Sequence, residues 1–162
     1  MQPPFDNLED VISTVPGYTG GHKENPTYEE VCNGITGHME ALQVTFKPQK
    51  VSYPELLDVF WRNINPADPD GQFVDRGSQY RPAIFYHNAE QQRLAEASKA
   101  ALEASGRFKA PIVVEIVPLE TFYPAEDYHQ DYYQKEPFRY KFYRYNSGRD
   151  QFLRKAWQEE DK

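Results

Sequence analysis

The residues best suited to chemistry are concentrated between Gly17 and Glu40. This stretch combines glycines with tyrosine, histidine and glutamate side chains, and it holds Cys32, the only cysteine of the 162 residues. Its glycine content favours a shaped polar loop, because glycine adopts backbone conformations that other residues avoid. On such a loop a carboxyl group could supply protons, phenols could donate hydrogen bonds, and a thiol could act as a nucleophile. The stretch is therefore the first candidate for a functional site.

Glu40 is the sharpest candidate in this stretch. It opens an alternating run that ends at Phe46, and the pattern places Glu40, Leu42 and Val44 on one face of a strand. A carboxyl group on an apolar face loses hydration, so its pKa rises and it can stay protonated near neutral pH. A protonated carboxyl group beside a cleft is suited to general acid catalysis. The alternative is that Glu40, as the first residue of the strand, turns into solvent or joins a structural ion pair.

Two tyrosines and an aspartate are further candidates, because each lies in a loop or at the edge of an element. Tyr28 follows the glycine-rich loop, while Asp75 and Tyr80 lie in a long polar connection over residues 65–81. Each phenol can donate a hydrogen bond to a polar oxygen, or it can pack its ring and leave its hydroxyl in water. Asp75 can orient a hydroxyl group, a water molecule or an arginine, or it can cap a turn. A connection of this length is often functional when it is ordered.

His129 and Tyr18 are the predicted substrate-binding residues. His129 lies in an aromatic-rich segment, on a helix predicted to begin at Pro124 and to end near Lys135. There it could position a substrate, or it could be a half-buried histidine bonded to a neighbour. The four histidines show no metal-ligand spacing, so we predict no metal site.

Cys32 has two possible roles. A helix terminus or a basic neighbour would lower the pKa of its thiol and make it reactive. Its nearest charged neighbours, Glu29 and Glu30, are acidic and act in the opposite direction. This setting favours an inert, structural cysteine.

Composition limits the possible partners. The net charge is −7 and no dense run of lysine and arginine occurs, so nucleic acid is not an expected partner. A membrane role is not expected either, because no apolar run approaches the roughly 20 residues of a spanning helix. The sequence shows no signal peptide, and one cysteine cannot form an intrachain disulfide, so we predict a cytoplasmic protein.

The predicted elements alternate between strands and helices. Strands are predicted at residues 11–15 (ended by Pro16-Gly17), 40–46, 83–86 and 112–117, and helices at residues 27–31, 52–64, 88–105, 124–135 and 147–157. This order predicts an α+β fold, a two-layer sandwich with a mixed or antiparallel sheet and flanking helices. A chain of 162 residues suits one domain.

Five blocks of the sequence, in order and at matching spacings, resemble the peptide methionine sulfoxide reductase A family. The blocks are Gly17-Tyr18-Thr19-Gly20-Gly21, Asn25-Pro26-Thr27-Tyr28-Glu29-Glu30-Val31-Cys32, Gly37-His38 with Glu40, Asp75-Arg76-Gly77-Ser78-Gln79-Tyr80-Arg81, and Tyr123-Pro124-Ala125-Glu126-Asp127-Tyr128-His129-Gln130. The resemblance implies a ferredoxin-like core. It also implies a single reductase domain over residues 1–162, in which residues 138–162 form a C-terminal extension.

The resemblance implies thiol-dependent reduction of methionine-S-sulfoxide, free or in proteins, as a repair of oxidised proteins. In the family a thiolate attacks the sulfoxide sulfur, and the position matching Glu40 protonates the developing oxyanion. The positions matching Tyr28 and Tyr80 donate hydrogen bonds to that oxygen, and the one matching Asp75 helps to hold the site. No bound cofactor is implied, and the expected reductant is an external thiol such as thioredoxin or dithiothreitol. Cys32 does not match the family's nucleophile.

The family's nucleophile motif, Gly-Cys-Phe-Trp, does not occur in the 162 residues. Met1 resembles a position just after that motif, so we expect the chain as given to lack the nucleophile, an aromatic pair for the substrate methyl group and the first strand, and to be inactive. The reading frame is expected to extend upstream to a cysteine or a selenocysteine, and a plain truncation or a misassigned start is an equal alternative. A missing strand predicts an open sheet edge or groove, with reduced stability or strand borrowing.

A different class of protein remains open at this point. An acidic, tyrosine-rich chain could bind peptides or carbohydrates by stacking, without catalysing a reaction. Such a binding module would need no upstream residues.

Overall fold

The structure, a computed structural model, describes residues 1–158. The last four residues of the predicted C-terminal extension lie outside the described part. The helices are α1 (Gln2–Asp6), α2 (Tyr28–Cys32), α3 (Tyr53–Trp61), α4 (Ala89–Ala104), α5 (Tyr132–Lys135), α6 (Pro137–Ser147) and α7 (Arg149–Trp157). The strands are β1 (Val11–Thr19), β2 (Met39–Phe46), β3 (Gly71–Gln72), β4 (Asp75–Arg76), β5 (Ala83–Tyr86), β6 (Glu115–Pro118) and β7 (Phe122–Pro124). Short 3-10 turns occur at Ser78–Tyr80 and Asp127–His129.

The strands form three separate hydrogen-bonded groups. Strand β1 lies between β2 and β7 and is antiparallel to both, while β5 and β6 form a parallel pair and β3 and β4 a small antiparallel hairpin. The predicted α+β fold with an antiparallel sheet and flanking helices is therefore confirmed. Strands β2 and β5 are both edge strands, so no ladder joins the β1 sheet to the β5–β6 pair within residues 1–158.

The main hydrophobic core lies where α3 and α4 pack against β5 and the segment before β6. Its buried residues are Leu57, Trp61, Ile64, Ile84, Ala95, Ile112 and Val114. Ala95 is fully buried, and its small side chain lets α4 approach α3 closely. The indole Nε1 of Trp61 donates a hydrogen bond to Ser98 Oγ at 2.9 Å, so the largest side chain of the core has a polar partner.

The predicted helix starts are confirmed at α3 and α4. Ser52 accepts a hydrogen bond from the Glu55 amide at 3.2 Å, and Asn88 accepts one from the Gln91 amide at 2.9 Å. Helix α3 ends at Trp61, three residues before the predicted end at residue 64. Within residues 1–158, no helix is both long enough and apolar enough to cross a bilayer.

The predictions made from proline were wrong in two places. Strand β1 continues through Pro16 and Gly17 to Thr19, because proline lacks only the amide donor and its carbonyl still accepts the Ala125 amide at 2.8 Å. Pro124 ends strand β7 and does not open a helix. The residue before a proline prefers an extended backbone, which suits Tyr123 in β7.

The predicted helix over residues 124–135 is interrupted. It consists of the 3-10 turn at Asp127–His129 and of α5, and Asp131 between them has a left-handed backbone with φ of 55°. The tail contains α6 as well as α7, with Gly148 in a left-handed conformation between them. The predicted strand over residues 112–117 is present only as β6, at Glu115–Pro118.

Candidate active site

One cavity of about 520 Å³ lies between the β1 sheet, helix α3, strand β5 and helix α6. All six candidate residues from the sequence line it: Tyr18, Tyr28, Glu40, Asp75, Tyr80 and His129. They come from six different elements or turns, so only the tertiary fold brings them together. The cavity is the candidate active site.

The glycine-rich loop is fixed to the segment that leads into β2. The Gly21 amide donates to His38 Nδ1 at 3.0 Å, and the His22 amide donates to the Thr36 carbonyl at 2.9 Å. Because Nδ1 accepts a hydrogen bond, the His38 Nε2 carries the proton and donates it to the Lys23 carbonyl at 2.7 Å. The buried His38 thus holds the loop against the strand that begins just before Glu40.

Replacement of Gly21 by alanine is expected to destabilise this junction by about 2 kcal/mol, in the range typical of overpacking. An added Cβ would lie 2.3 Å from the His38 amide nitrogen and 2.4 Å from the Thr36 carbonyl oxygen, and both are backbone atoms. Urea unfolding would measure the loss. Gly34→Ala is the control, because a Cβ added there would meet no atom within 4 Å and only the positive φ of Gly34 opposes the change. A loss of unfolding free energy for Gly21→Ala that is no larger than the loss for Gly34→Ala would contradict this prediction.

Glu40 lies opposite Tyr18 in the β1–β2 ladder and points into the cavity. Solvent reaches the side chain through the open cavity, but the surrounding protein displaces much of the hydration of its carboxyl group. This desolvation, followed by the negative charge of Asp75, raises the pKa of Glu40 to about 7. A carboxyl group with this pKa can donate its proton at neutral pH.

Tyr28 and Tyr80 present two phenols to the same cavity. Tyr28 is the first residue of α2, whose start is fixed by a reciprocal capping box between Thr27 and Glu30. Contact with the Cys32 sulfur and then burial raise the pKa of Tyr28, and burial followed by the charge of Glu40 raises the pKa of Tyr80. Both phenols therefore stay protonated and can donate hydrogen bonds.

Glu126 joins three parts of the site, and the sequence analysis did not select it. Its carboxylate accepts hydrogen bonds from the Tyr18 hydroxyl at 3.2 Å, the Tyr28 amide at 3.3 Å and the Tyr128 hydroxyl at 2.9 Å. Burial alone would raise the pKa of Glu126, but these hydrogen bonds outweigh it and lower the pKa. A charged Glu126 thus holds α2 against β1. Its one local signal is its place in an aromatic-rich segment.

His129 lies at the end of the 3-10 turn rather than within a helix, which corrects the prediction for its surroundings. Its ring centre is 4.3 Å from that of Tyr28 and 4.2 Å from that of Tyr128. Burial lowers the pKa of His129, so the imidazole is neutral at pH 7. It forms an uncharged wall of the cavity beside Tyr28.

Asp75 accepts a hydrogen bond from the Tyr143 hydroxyl, which reaches it from α6. Burial and this hydrogen bond raise the pKa of Tyr143, so the phenol stays protonated. Tyr143 was not predicted from the sequence, because it is 68 positions from Asp75 and no local pattern connects them. Asp75 is therefore placed by the tail of the chain and acts electrostatically on Glu40.

Cys32 does not line the cavity. Its sulfur is 3.9 Å from the Tyr80 hydroxyl, and its carbonyl accepts a hydrogen bond from Gln79 Nε2 at 3.1 Å. The thiol thus contacts the hydroxyl of a cavity-lining residue without lining the cavity itself.

Comparison with known proteins shows which family the chain is similar to. The sequence model described as "Peptide methionine sulfoxide reductase" matches residues 1–161. A peptide methionine sulfoxide reductase MsrA from Listeria monocytogenes serotype 4a (strain HCC23) is 57% identical over 157 residues, covering 97% of this chain and 89% of that protein. One from Bacillus licheniformis is 54% identical, covering 97% of this chain and 87% of that protein.

Solved structures agree with the sequence comparison. Methionine sulfoxide reductase A of Corynebacterium diphtheriae superposes with a TM-score of 0.75 at 33% identity, covering 84% of this chain and 69% of that chain. The reduced form of Mxr1 from Saccharomyces cerevisiae gives a TM-score of 0.72 at 33% identity, covering 80% and 74%.

The chain belongs to the peptide methionine sulfoxide reductase family. The predicted class of enzyme, a peptide methionine sulfoxide reductase, is thereby confirmed, and the reduction of methionine sulfoxide is the role of its family. The comparisons give no support to the alternative of a non-catalytic binding module.

Proposed function

We propose that the cavity binds the S epimer of methionine sulfoxide, free or in a protein, with its oxygen held by Glu40, Tyr28 and Tyr80. One observation carries this proposal: Glu40, whose carboxyl pKa is raised, lines the same cavity as the protonated phenols of Tyr28 and Tyr80. Three donors around one oxygen suit a sulfoxide, whose oxygen carries most of the negative charge of the bond. They stabilise it further as it becomes an oxyanion.

In the proposed reaction a thiolate attacks the sulfoxide sulfur, and the proton of Glu40 passes to the sulfoxide oxygen. A second thiol then completes the reduction. Overall, one sulfoxide and two thiols give one thioether, one disulfide and one water. Asp75 supports the step by keeping the Glu40 proton in place near neutral pH, since its charge opposes ionisation of Glu40.

We propose that Cys32 is not the attacking thiol. It is the only cysteine of the 162 residues, and it does not line the cavity. The remaining reducing equivalents are proposed to come from an external thiol, a thioredoxin-like protein in the cell or dithiothreitol in an assay. The identity of the nucleophile as an upstream cysteine or selenocysteine stays a proposal that the DNA before Met1 would decide.

The test combines binding with turnover by the 162-residue chain. Calorimetric titration at pH 6 is expected to show binding of N-acetyl-methionine-S-sulfoxide N-methylamide, and weaker binding of the R epimer and of the thioether, which do not present an oxygen to the three donors. Incubation with dithiothreitol is expected to give no measurable reduction. Equal binding of all three ligands would contradict the proposed oxygen site. Reduction that disappears in Cys32→Ser would contradict the role given to Cys32.

A further inference from the structure

Arg149, the first residue of α7, lines the same cavity and has an unusual environment for a cation. Its Nη1 donates to the Asn63 carbonyl at 2.6 Å, and its guanidinium carbon lies 4.6 Å from the centre of the Phe73 ring. Within residues 1–158, no carboxylate oxygen lies within 4.0 Å of a guanidinium nitrogen of Arg149, the limit for an ion pair. A guanidinium has five N–H donors, so several remain for a ligand.

The neighbouring arginine is already neutralised. Arg144 also lines the cavity, but its Nε donates to Asp150 at 2.8 Å and its Nη1 to the Tyr140 hydroxyl at 3.2 Å. Burial and the repulsion from Arg144 lower the pKa of Arg149. An added anion would stabilise this partly buried cation, because the Asn63 carbonyl and the Phe73 ring compensate only part of its desolvation.

The arginine and the proposed oxygen site share one electrostatic neighbour. The charge of Asp75 acts both on Glu40 and on Arg149. Asp75 accepts a hydrogen bond from Tyr143 of α6 and lines the cavity together with the acid on β2 and the cation on α7. Glu40, Tyr80 and Arg149 line one cavity of about 520 Å³, so a ligand bound in that cavity can contact both the oxygen site and Arg149.

Resting on the function proposed above, we infer that Arg149 binds the carboxylate of a methionine-S-sulfoxide that is free or at the C-terminus of a peptide. In such a ligand three carbon atoms separate the carboxylate from the sulfur. A carboxylate can take two parallel hydrogen bonds from a guanidinium, which gives the contact direction as well as strength. A multiply charged anion is disfavoured, because Glu40 and Asp75 line the same cavity.

The decisive experiment compares two ligands that differ only in the carboxylate. Calorimetric titration of the 162-residue chain at pH 6 and low salt would use N-acetyl-methionine-S-sulfoxide and its uncharged N-methylamide. The carboxylate ligand is expected to bind about tenfold more tightly, the size of one charge-assisted hydrogen bond. Arg149→Met is expected to remove this preference and to leave the affinity for the amide unchanged.

Two further variants complete the design. Arg139→Met, at an exposed position of α6, is the matched control and is expected to keep the tenfold preference. Arg149→Lys keeps the charge but not the paired donors, so it is expected to keep only part of the preference. Equal affinity of the wild-type chain for the two ligands, or an unchanged preference in Arg149→Met, would overturn the role of Arg149 alone. Binding of neither ligand would overturn the proposed function as well.

Discussion

Binding of N-acetyl-methionine-S-sulfoxide N-methylamide to the 162-residue chain is expected to weaken about tenfold for each pH unit above 7, and Glu40→Gln is expected to abolish that dependence. The pKa of Glu40 is raised to about 7 by desolvation and by Asp75. Below pH 7 the carboxyl group holds its proton and donates it to the sulfoxide oxygen. Above pH 7 the group is an anion and repels that oxygen. Calorimetric titration between pH 5.5 and pH 9 would measure the change.

The glutamine variant makes this test specific, because its amide is a neutral donor at every pH. Its affinity is expected to be flat across the range and to exceed that of the wild-type chain at pH 9 by roughly the factor lost there, on the order of 100-fold for two pH units. Glu120→Gln, at an exposed position, is the control and should retain the wild-type pH dependence. A wild-type affinity that does not change between pH 6 and pH 9 would disprove the role of Glu40 as a proton donor.

Replacement of Trp61 by alanine is expected to lower the free energy of unfolding by about 3–5 kcal/mol, which would leave little stability in a domain of this size. The side chain is only 4% exposed and lies between α3 and α4, at the centre of the main core. The substitution opens a cavity and leaves Ser98 without its indole partner. Urea unfolding followed by circular dichroism would measure the loss.

Trp61→Phe separates the two contributions to this effect. It keeps most of the buried ring and removes the hydrogen bond to Ser98, so it is expected to lose less stability than the alanine variant. An alanine variant within about 1 kcal/mol of the wild type would show that the α3–α4 core does not govern folding.

The parts of the site that the sequence could predict are those with a local pattern. Glu40 was predicted from the alternation of β2, and the start of α2 before Tyr28 was predicted from the Thr27 to Val31 segment. These inferences succeed because strand periodicity and helix caps depend on neighbouring residues. Tyr80 and Asp75 were candidates because of their place in a long polar connection, the resemblance implied roles for them, and the structure places both at the cavity.

The rest of the site depends on contacts between distant segments. Glu126 reaches Tyr28 across 98 positions, and Tyr143 reaches Asp75 across 68, so no window of sequence contains either pair. The strand β7 was missed for a similar reason, since it is three residues long and exists only because it pairs with β1. The prediction that Pro16 ends β1 was wrong, because a proline interrupts a strand only where the partner strand requires a hydrogen bond from its amide.

The division of the strands into separate ladders has a consequence for how the protein opens. Glu40 lies on β2, whereas Tyr80 lies three residues before the first residue of β5, and no strand ladder joins β2 to β5. The two sides of the site therefore form two units that no ladder joins, and they can separate without breaking the backbone hydrogen bonds of a sheet. A ligand held by both sides would couple the units, so amide protons in β1 and in β5 would exchange more slowly together when the cavity is filled. Ligand binding would thus shift the equilibrium between the open and closed arrangements of the two units toward the closed one.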